Sequence, residues 1–458
     1  MHPFGRVLIA LAIASTQLPG SAGAPPALQD CTTFAAACNE TVLVGNNEDY
    51  GNPIINVWLL PADGGTYGRF LIGTEGLVQG GMNDQGLVYD GLTIPPVEVA
   101  GDGRPRYMGM WPVHVLETCA TIDDVVESYE AYTFPGTWAG KLFFADAAGD
   151  AILIEGDAIV RKEGRFLVST NFLQSTTAPE DVTCERFLTA SSLLDDAEEV
   201  TPDIVREVLD AVHAEYRGGA GTIYSTVYDQ RAVTVTCYLY HDFENPVTLD
   251  LAEELPRGPR AIGFRSLFPV NPTYETWRSS EIDTLARQIA SFRDDAVLPS
   301  TYDDYVGHYA ATAEVPFSRP PLALDSVSIE RSGDRLCLVA CPEGLSFELF
   351  PLGDDRFRAA SMNAESDFDV VFRRSETRNV DGATLSIAGP DGTLFEVPSE
   401  RISEEPAFHH LPGFMVPFRE SPDPEAEILA LPLWTRLWLG LGLALLGLLG
   451  LAVLLSSP

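Results

Sequence analysis

Apolar and polar positions alternate along the chain in two distinct textures. Between Cys31 and about Phe264, short apolar and β-branched runs alternate with a few amphipathic segments, which predict strands and helices respectively. The predicted strands are Val42–Gly45, Ile54–Leu60, Leu87–Ile94, Leu142–Ala145, Ala151–Glu155, Phe166–Ser169, Ile223–Tyr228 and Val233–Tyr240. The predicted helices are Ile122–Tyr129, Cys184–Leu194 and Thr201–Glu215. Such grouping favours an α+β layered domain over a parallel doubly wound sheet.

The second texture follows a further amphipathic helix, predicted over Ser280–Phe292. From Tyr302 to Pro398, short strands recur at regular spacing and are separated by polar turns. This pattern is typical of a small antiparallel barrel or sandwich. The predicted strands are Val327–Arg331, Arg335–Ala340, Ser346–Phe350, Phe368–Arg373 and Thr384–Ile387.

Both ends of the chain are apolar. Met1–Ala24 has Arg6 before a short apolar run and small residues at its end, as a secretory signal peptide does. Leu437–Leu455 contains nineteen residues without a charge, about 28 Å of helix beside a bilayer core of about 30 Å. We therefore predict export, with both domains on the non-cytoplasmic side, and a transmembrane anchor over residues 434–455.

The charge of the chain excludes one class of partner. The formal net charge is −37 and the sequence pI is about 4.3, so nucleic acid is a poor partner. The odd number of cysteines, seven, leaves at least one thiol unpaired in an exported chain. Cys31 is the obvious free thiol, and we assign no pairs among the other six.

The sequence contains none of the common cofactor or metal motifs. The seven histidines show no HExxH pattern, and no C-x-x-C spacing, Walker loop or dinucleotide fingerprint is present. A GxSxG nucleophile elbow is also missing. We therefore predict no cofactor and no metal ion.

Cys31 is a candidate nucleophile. It precedes the strand predicted at Val42–Gly45 and a tight polar turn, Asn46–Asp49, which ends in a carboxylate. A thiol needs a proton acceptor, and the α-amino group of a mature N-terminal cysteine, with a pKa of about 7.7–8.0, could be one. That role requires a second cleavage that removes the pro-segment 25–30. The alternative is a structural cysteine in a secreted domain.

Four motifs, in order, resemble the choloylglycine hydrolase and penicillin V acylase group of N-terminal nucleophile hydrolases. The likeness covers about Cys31 to Asp250. The motifs are CTTF at 31–34 with GNNEDY at 45–50, GGMNDQGL at 80–87, STNF at 169–172 and TIYSTVYD at 222–229. Separately, Tyr305–Tyr309 and the strands after it resemble a small lipocalin-like domain.

The resemblance implies a fold and a set of roles. The fold would be an αββα sandwich with Cys31 at the end of a central strand, followed by a small antiparallel β-barrel. Asp49 would orient the thiol and the amine of Cys31. Asn171 would donate an amide N–H to the tetrahedral oxyanion, with Thr93 as a second contributor. Without the resemblance, the pattern favours a turn-capping role for Asp49 and a turn residue at a strand end for Asn171.

Two departures from the group argue against bile salts as the preferred substrate. Asn46 stands where bile-salt hydrolases usually have arginine, and Thr93 where they have asparagine. The late arginine of the group has no confident counterpart, since Arg231 does not match by pattern. We take Asn46 and Asn83 as candidate substrate-binding residues.

The sequence thus predicts an exported, membrane-tethered hydrolase that cleaves amide bonds of small N-acyl compounds through a thioester acyl-enzyme. We expect apolar or aromatic acyl groups in preference to taurocholate, and the oligomeric state is open. An acyltransferase of the same fold and a non-catalytic lipid- or ligand-binding protein are the alternatives. The predicted domains are a signal peptide (1–24), a pro-segment (25–30), the hydrolase domain (31–265), a helical linker (266–300), the barrel (301–400), a linker (401–433) and the anchor (434–455).

Overall fold

The computed structural model describes residues 31–406, with gaps at 75–76, 108–109, 216–220, 291–298, 316–321, 333–334, 342–344, 354, 362–367 and 389–392. The predicted signal peptide, pro-segment and membrane anchor lie outside these residues. Within the described part of the chain, no helix is both long and apolar enough to cross a membrane.

The N-terminal domain contains fourteen strands in two antiparallel sheets. The strands are β1 (Thr32–Cys38), β2 (Thr41–Tyr50), β3 (Ile55–Leu60), β4 (Arg69–Thr74), β5 (Leu77–Asn83), β6 (Val88–Val99), β7 (Gly136–Ala145), β8 (Ala151–Glu155), β9 (Ala158–Arg161), β10 (Phe166–Ser169), β11 (Gly221–Asp229), β12 (Thr234–Leu239), β13 (Val247–Asp250) and β14 (Arg260–Gly263). The first sheet has the order β10-β1-β2-β11-β12-β13, and the second has the order β14-β3-β4-β5-β6-β7-β8-β9.

Six helices accompany the sheets. They are α1 (Trp111–Thr118), α2 (Ile122–Ala131), α3 (Glu185–Asp196), α4 (Pro202–Ala211), α5 (Leu251–Glu254) and α6 (Pro272–Ala290). Thr201 caps the N-terminus of α4, since its side chain accepts a hydrogen bond from Ile204 N and Pro202 opens the helix. It ends at Ala211, four residues before the predicted end of the helix at Glu215.

The two sheets face each other between two layers of helices. Alternation along the strands produces this arrangement, because successive side chains point to opposite faces of a sheet. Val57 lies in the core between the sheets, whereas its neighbour Trp58 packs with α1 and α2 on the outer face. Leu43 likewise packs with α3 and α4, and its neighbour Val44 lies between the sheets. The result is the predicted αββα sandwich.

Two predicted segments need correction. The polar stretch predicted as a turn at Asn46–Asp49 is the second half of β2, which continues to Tyr50. It stays extended because β1 and β11 hydrogen-bond to it on both sides. The helix predicted from Ser280 begins at Pro272, where the Asn271 side chain accepts hydrogen bonds from the first-turn amides.

The C-terminal module is a closed antiparallel barrel of eight strands, which confirms the predicted barrel. Each strand pairs with the next in sequence, and the first pairs with the last. Its interior is a separate apolar core. The strands are β15 (Gly307–Val315), β16 (Leu322–Ser332), β17 (Arg335–Cys341), β18 (Leu345–Gly353), β19 (Arg356–Ala360), β20 (Phe368–Arg374), β21 (Val380–Ala388) and β22 (Leu394–Ser403).

Candidate active site

Cys31 lies directly before β1, an inner strand of the first sheet, and its side chain is buried. The thiol Sγ lies 3.4 Å from Glu48 Oε1 and 3.9 Å from the backbone oxygen of Asp49. Burial, followed by the nearby carboxylates of Glu48 and Asp49, raises the pKa of this thiol. The thiol is therefore protonated at neutral pH unless a base accepts its proton.

Asp49 lies beside Cys31 on the neighbouring strand. Its buried carboxylate accepts a hydrogen bond from the hydroxyl of Thr222, the residue opposite it on β11. The other carboxylate oxygen lies 3.8 Å from Nη1 of Arg186. Asp49 therefore takes part in tertiary contacts at the nucleophile and caps no turn.

Arg186 connects the groups around the nucleophile, and it was missing from the sequence-based candidates. Nη1 donates to the carbonyl oxygen of Cys31 at 2.8 Å and to Thr32 Oγ1 at 2.7 Å. Nη2 donates to Asn171 Oδ1 at 3.1 Å. One sequence signal was available: Arg186 is in the first turn of α3, where the helix dipole disfavours a cation. A cation at such a position suggests a compensating tertiary contact.

Asn171 and Thr93 are brought together, as expected. Asn171 follows the end of β10, and its Nδ2 donates to the backbone oxygen of Thr93 on β6 at 2.9 Å. This bond connects the two sheets beside Cys31. Arg186 binds the amide oxygen of Asn171 and so fixes the orientation of the amide. The amide nitrogen carries two N–H groups, and the one that does not donate to Thr93 can donate to another acceptor.

A buried ion pair holds the loop that carries Asn171. Lys141 Nζ lies 3.2 Å from Glu155 Oε1, and both side chains are fully buried. Lys141 also donates to the backbone oxygen of Phe172 at 2.8 Å and to Gln174 Oε1 at 3.0 Å. Glu155 accepts the backbone N–H of Gln174 at 2.9 Å. Both members of the ion pair thus hydrogen-bond to the loop after β10 and hold it in place.

A second set of polar groups lies between the sheets beside the thiol, and sequence reasoning missed it too. Glu48 Oε1 accepts a 2.6 Å hydrogen bond from Gln79 Nε2. Burial raises the pKa of Glu48 to about 8, and the charge of Asp49 adds to the shift. Asp90 is also buried, and burial together with Glu48 raises its pKa. A carboxyl residue inside an apolar run, as in VYDGL at 88–92, was the available signal.

The two predicted substrate-binding asparagines lie in different surroundings. Asn46 is buried on β2, opposite Thr33 of β1, and its amide oxygen has no hydrogen-bond partner among the described residues. Asn83 Nδ2 donates to the backbone oxygens of Leu116 and Cys119, and its Oδ1 accepts two backbone N–H groups of its own turn. None of these bonds joins Asn83 to Cys31, so its binding role stays a prediction.

One protein-family model matches part of the N-terminal domain. A family model described as acyl-coenzyme A:6-aminopenicillanic acid acyl-transferase matches residues 40–243, a range that begins after Cys31. None of the curated proteins matches the chain.

Solved structures similar to this chain include two acylases. Penicillin V acylase from Agrobacterium tumefaciens is 17% identical, with 51% of this chain and 91% of that chain covered and a TM-score of 0.39. A variant of conjugated bile acid hydrolase from Clostridium perfringens is 14% identical, with 53% and 99% covered and a TM-score of 0.42. By the family match over residues 40–243 and its sandwich fold, the N-terminal domain is similar to the N-terminal nucleophile hydrolases of the choloylglycine hydrolase and penicillin acylase group.

Proposed function

We propose that the protein hydrolyses amide bonds of small N-acyl compounds, with Cys31 as nucleophile after removal of residues 1–30. One observation carries the proposal: Asp49, Arg186 and Asn171 form a connected polar network around Cys31. A cysteine with only a structural role needs no such network. The family match over residues 40–243 also supports the proposal.

The first half of the reaction forms a thioester. The α-amino group of Cys31 accepts the thiol proton, and Sγ attacks the amide carbon. The C–N bond then breaks, and the proton passes from the α-amino group to the departing amine. Asp49 is positioned to hold the protonated α-amino group, since its backbone oxygen contacts Sγ and its carboxylate is buried nearby.

The oxyanion of the tetrahedral intermediate needs a fixed donor. The second N–H of Asn171 Nδ2 is available for this, and Thr93 and Arg186 hold the amide in one orientation. Removing one oxyanion donor typically costs about 10²–10³-fold in kcat. Asn171 would therefore contribute chiefly to transition-state stabilisation.

The second half of the reaction distinguishes hydrolysis from acyl transfer. Water attacks the thioester carbon in the hydrolase, the C–S bond breaks, and the acid and the free thiol result. In an acyltransferase an amine attacks instead and a new amide forms. The matched family model is named for an acyl-transferase, so this is the second candidate function. Adding a nucleophilic amine and measuring the ratio of new amide to free acid separates the two.

Glu48 refines the expected substrate. With its pKa raised to about 8, the carboxyl is protonated at neutral pH and can donate a hydrogen bond beside Sγ. We therefore propose that the acyl group carries an acceptor close to its carbonyl, as phenoxyacetyl does, in an otherwise apolar acyl group. A matched pair tests this, because 3-phenylpropionyl replaces the ether oxygen of phenoxyacetyl by a methylene. The wild type should prefer phenoxyacetyl amides, and Glu48→Met should abolish the preference.

The experiment for the function itself is an amide panel scored by amine release. The protein should begin at Cys31 by mass analysis, and the panel should hold phenoxyacetyl amides, fatty-acyl amides, N-acyl homoserine lactones and taurocholate. Cys31→Ala is the matched control. Cleavage of small N-acyl amides by the wild type alone supports the proposal. Taurocholate as the best substrate, or no cleavage, would contradict it, and the second outcome favours the non-catalytic binding protein.

We also propose export and anchoring through residues 434–455. The support is the sequence pattern of the two termini. A chain truncated after Arg419 should leave the membrane fraction and keep its activity on soluble amides. Retention of that truncated chain in the membrane fraction would contradict the anchor.

A further inference from the structure

We propose that His213, Glu215 and His241 form a binding site for a transition-metal ion such as Zn²⁺. One potential ligand atom from each of these residues lies within 4.8 Å of the other two. A search of the described residues for groups of three or more potential metal ligands finds this cluster. The proposal is independent of the amide-hydrolase function.

The distances suit a small ion with a tetrahedral preference. His213 Nε2 lies 3.4 Å from Glu215 Oε1, and His241 Nδ1 lies 4.0 Å from the same oxygen. Zinc–ligand bonds of about 2.0–2.2 Å in tetrahedral geometry separate two ligand atoms by about 3.3 Å. His213 Nε2 and Glu215 Oε1 already have about that spacing. A small rotation of the exposed Glu215 side chain or of the His241 ring would shorten the distance from His241 Nδ1 to Glu215 Oε1 to the same value. The stacked imidazoles, with centroids 5.0 Å apart, have to tilt toward each other as they bind.

His213 is held with its Nε2 directed at Glu215. Its Nδ1 contacts the backbone oxygen of Asp210, which selects the tautomer with the proton on Nδ1. The lone pair of Nε2 then faces Glu215. A second hydrogen bond of this kind commonly orients a metal-binding histidine.

The backbone at His241 is in an uncommon conformation. Tyr240 and His241 have φ values of +51° and +47°, so two consecutive non-glycine residues lie in the left-handed region. The Tyr240 ring stacks on Trp277 with centroids 5.5 Å apart, which fixes this turn. Strained backbone of this kind often accompanies a functional site. Here it directs the His241 ring toward His213.

The donor set indicates the class of metal. Two imidazoles and one carboxylate suit Zn²⁺ and its neighbours among the divalent transition metals, whereas Mg²⁺ and Ca²⁺ prefer oxygen ligands. Three protein ligands leave a fourth position for water. Asp210 and Asp242 add negative charge near the rings and favour a cation.

The site is connected to the candidate active site through one residue. Ala214 lies between two of the ligands, and its backbone N–H donates to Thr222 Oγ1 at 2.8 Å. Its carbonyl oxygen accepts the Thr222 N–H at 2.9 Å. The same Thr222 hydroxyl donates to Asp49. A metal bound by His213 and Glu215 would fix Ala214 between them. Ala214 in turn positions Thr222, whose hydroxyl donates to Asp49.

Zinc binding to the purified full chain tests the proposal. The protein is stripped with a chelator and titrated with Zn²⁺ in excess Mg²⁺, which occupies adventitious carboxylate sites. We expect one saturable site, with affinity lowered at least tenfold in His241→Ala and in Glu215→Gln. His114→Ala is the control, because His114 stacks on Tyr107 and lies outside the cluster. Glu215 is exposed, so Glu215→Gln should fold even if His241→Ala does not.

A second readout is thermal stability, which a ligand of the native state raises. Zn²⁺ should raise the melting temperature of the wild type and of His114→Ala, but of neither cluster variant. No saturable Zn²⁺ binding by the wild type would overturn the proposal. Equal binding by the wild type and the folded cluster variants would overturn it as well.

Discussion

Arg186 donates a hydrogen bond of 2.8 Å to the carbonyl oxygen of Cys31. The same guanidinium binds Asn171 and lies near Asp49, so one cation from α3 connects three of the four predicted catalytic residues. Arg186 therefore supplies a cation at the nucleophile from the first turn of α3.

Replacing Arg186 should reduce activity more than stability. Arg186→Lys keeps the charge but loses the fork that contacts Cys31 and Asn171 together. A hydrogen bond to a charged group contributes about 1.5–3 kcal/mol, so kcat should fall about 10- to 100-fold. Arg206→Lys on α4 is the matched control. Steady-state kinetics decide the matter, and a kcat of Arg186→Lys equal to that of Arg206→Lys would return Arg186 to a structural role.

Thr222 should act through Asp49. Thr222→Val keeps the side-chain shape but removes the hydroxyl that donates to Asp49 Oδ1, so kcat should fall about tenfold with little change in KM. Thr248→Val is the control, because the hydroxyl of Thr248 forms an exposed hydrogen bond with Thr236 Oγ1. Asp49→Asn should lower kcat further. Near-normal kcat in purified Asp49→Asn would exclude a catalytic role for Asp49.

The buried pair of Lys141 and Glu155 should dominate the stability of the loop that carries Asn171. Lys141→Met leaves the Glu155 charge buried without its cation, and loss of one partner from such a pair costs about 3–5 kcal/mol. The double variant Lys141→Met, Glu155→Leu should lose less, because no charge stays buried. Urea denaturation of Lys141→Met, of Glu155→Leu and of the double variant measures all three costs. A double variant that loses the sum of the two single costs would show that the ion pair is not the reason.

The layered α+β fold could be predicted from the sequence because it depends on local patterns. The strands at Ala151–Glu155 and Phe166–Ser169 were predicted with their exact ends, and the barrel followed from evenly spaced short strands. The polar half of β2 was read as a turn because Asn46–Asp49 has turn composition. Its partners on β1 and β11, which keep it extended, are distant in sequence.

Arg186 and Glu48 were missed for a related reason. Arg186 is 155 residues from Cys31, and no local pattern shows that its helix begins beside the nucleophile. Glu48 was read as part of a turn, so its burial was not expected. The proposed metal ligands come from the end of α4 and the turn after β12, and motif spacing detects only ligands that are close in sequence.

Stability should depend on pH through Glu48. Its pKa is raised from 4.5 to about 8, so the folded protein binds a proton that the unfolded chain releases between these values. The bound proton contributes fully to the free energy of unfolding below pH 4.5. This contribution, a few kcal/mol at most, is lost as the pH rises through about 8. Glu48→Gln should show a shallower fall in the free energy of unfolding from pH 5 to pH 8, measured by urea denaturation. If Glu48→Gln leaves the pH dependence of the free energy of unfolding unchanged, a group other than Glu48 binds the proton. Glu207→Gln is the control, because Glu207 is exposed.

The N-terminus of the active protein tests the central claim most directly. Intact-mass and N-terminal sequence analysis of protein that turns over a small N-acyl amide should find Cys31 as the first residue. If removal of the pro-segment is autocatalytic, Cys31→Ala should retain residues 25–30 and show no turnover. An active protein that begins upstream of Cys31, for example at Gly23 or Pro25, would contradict the account, because its α-amino group could not serve the thiol.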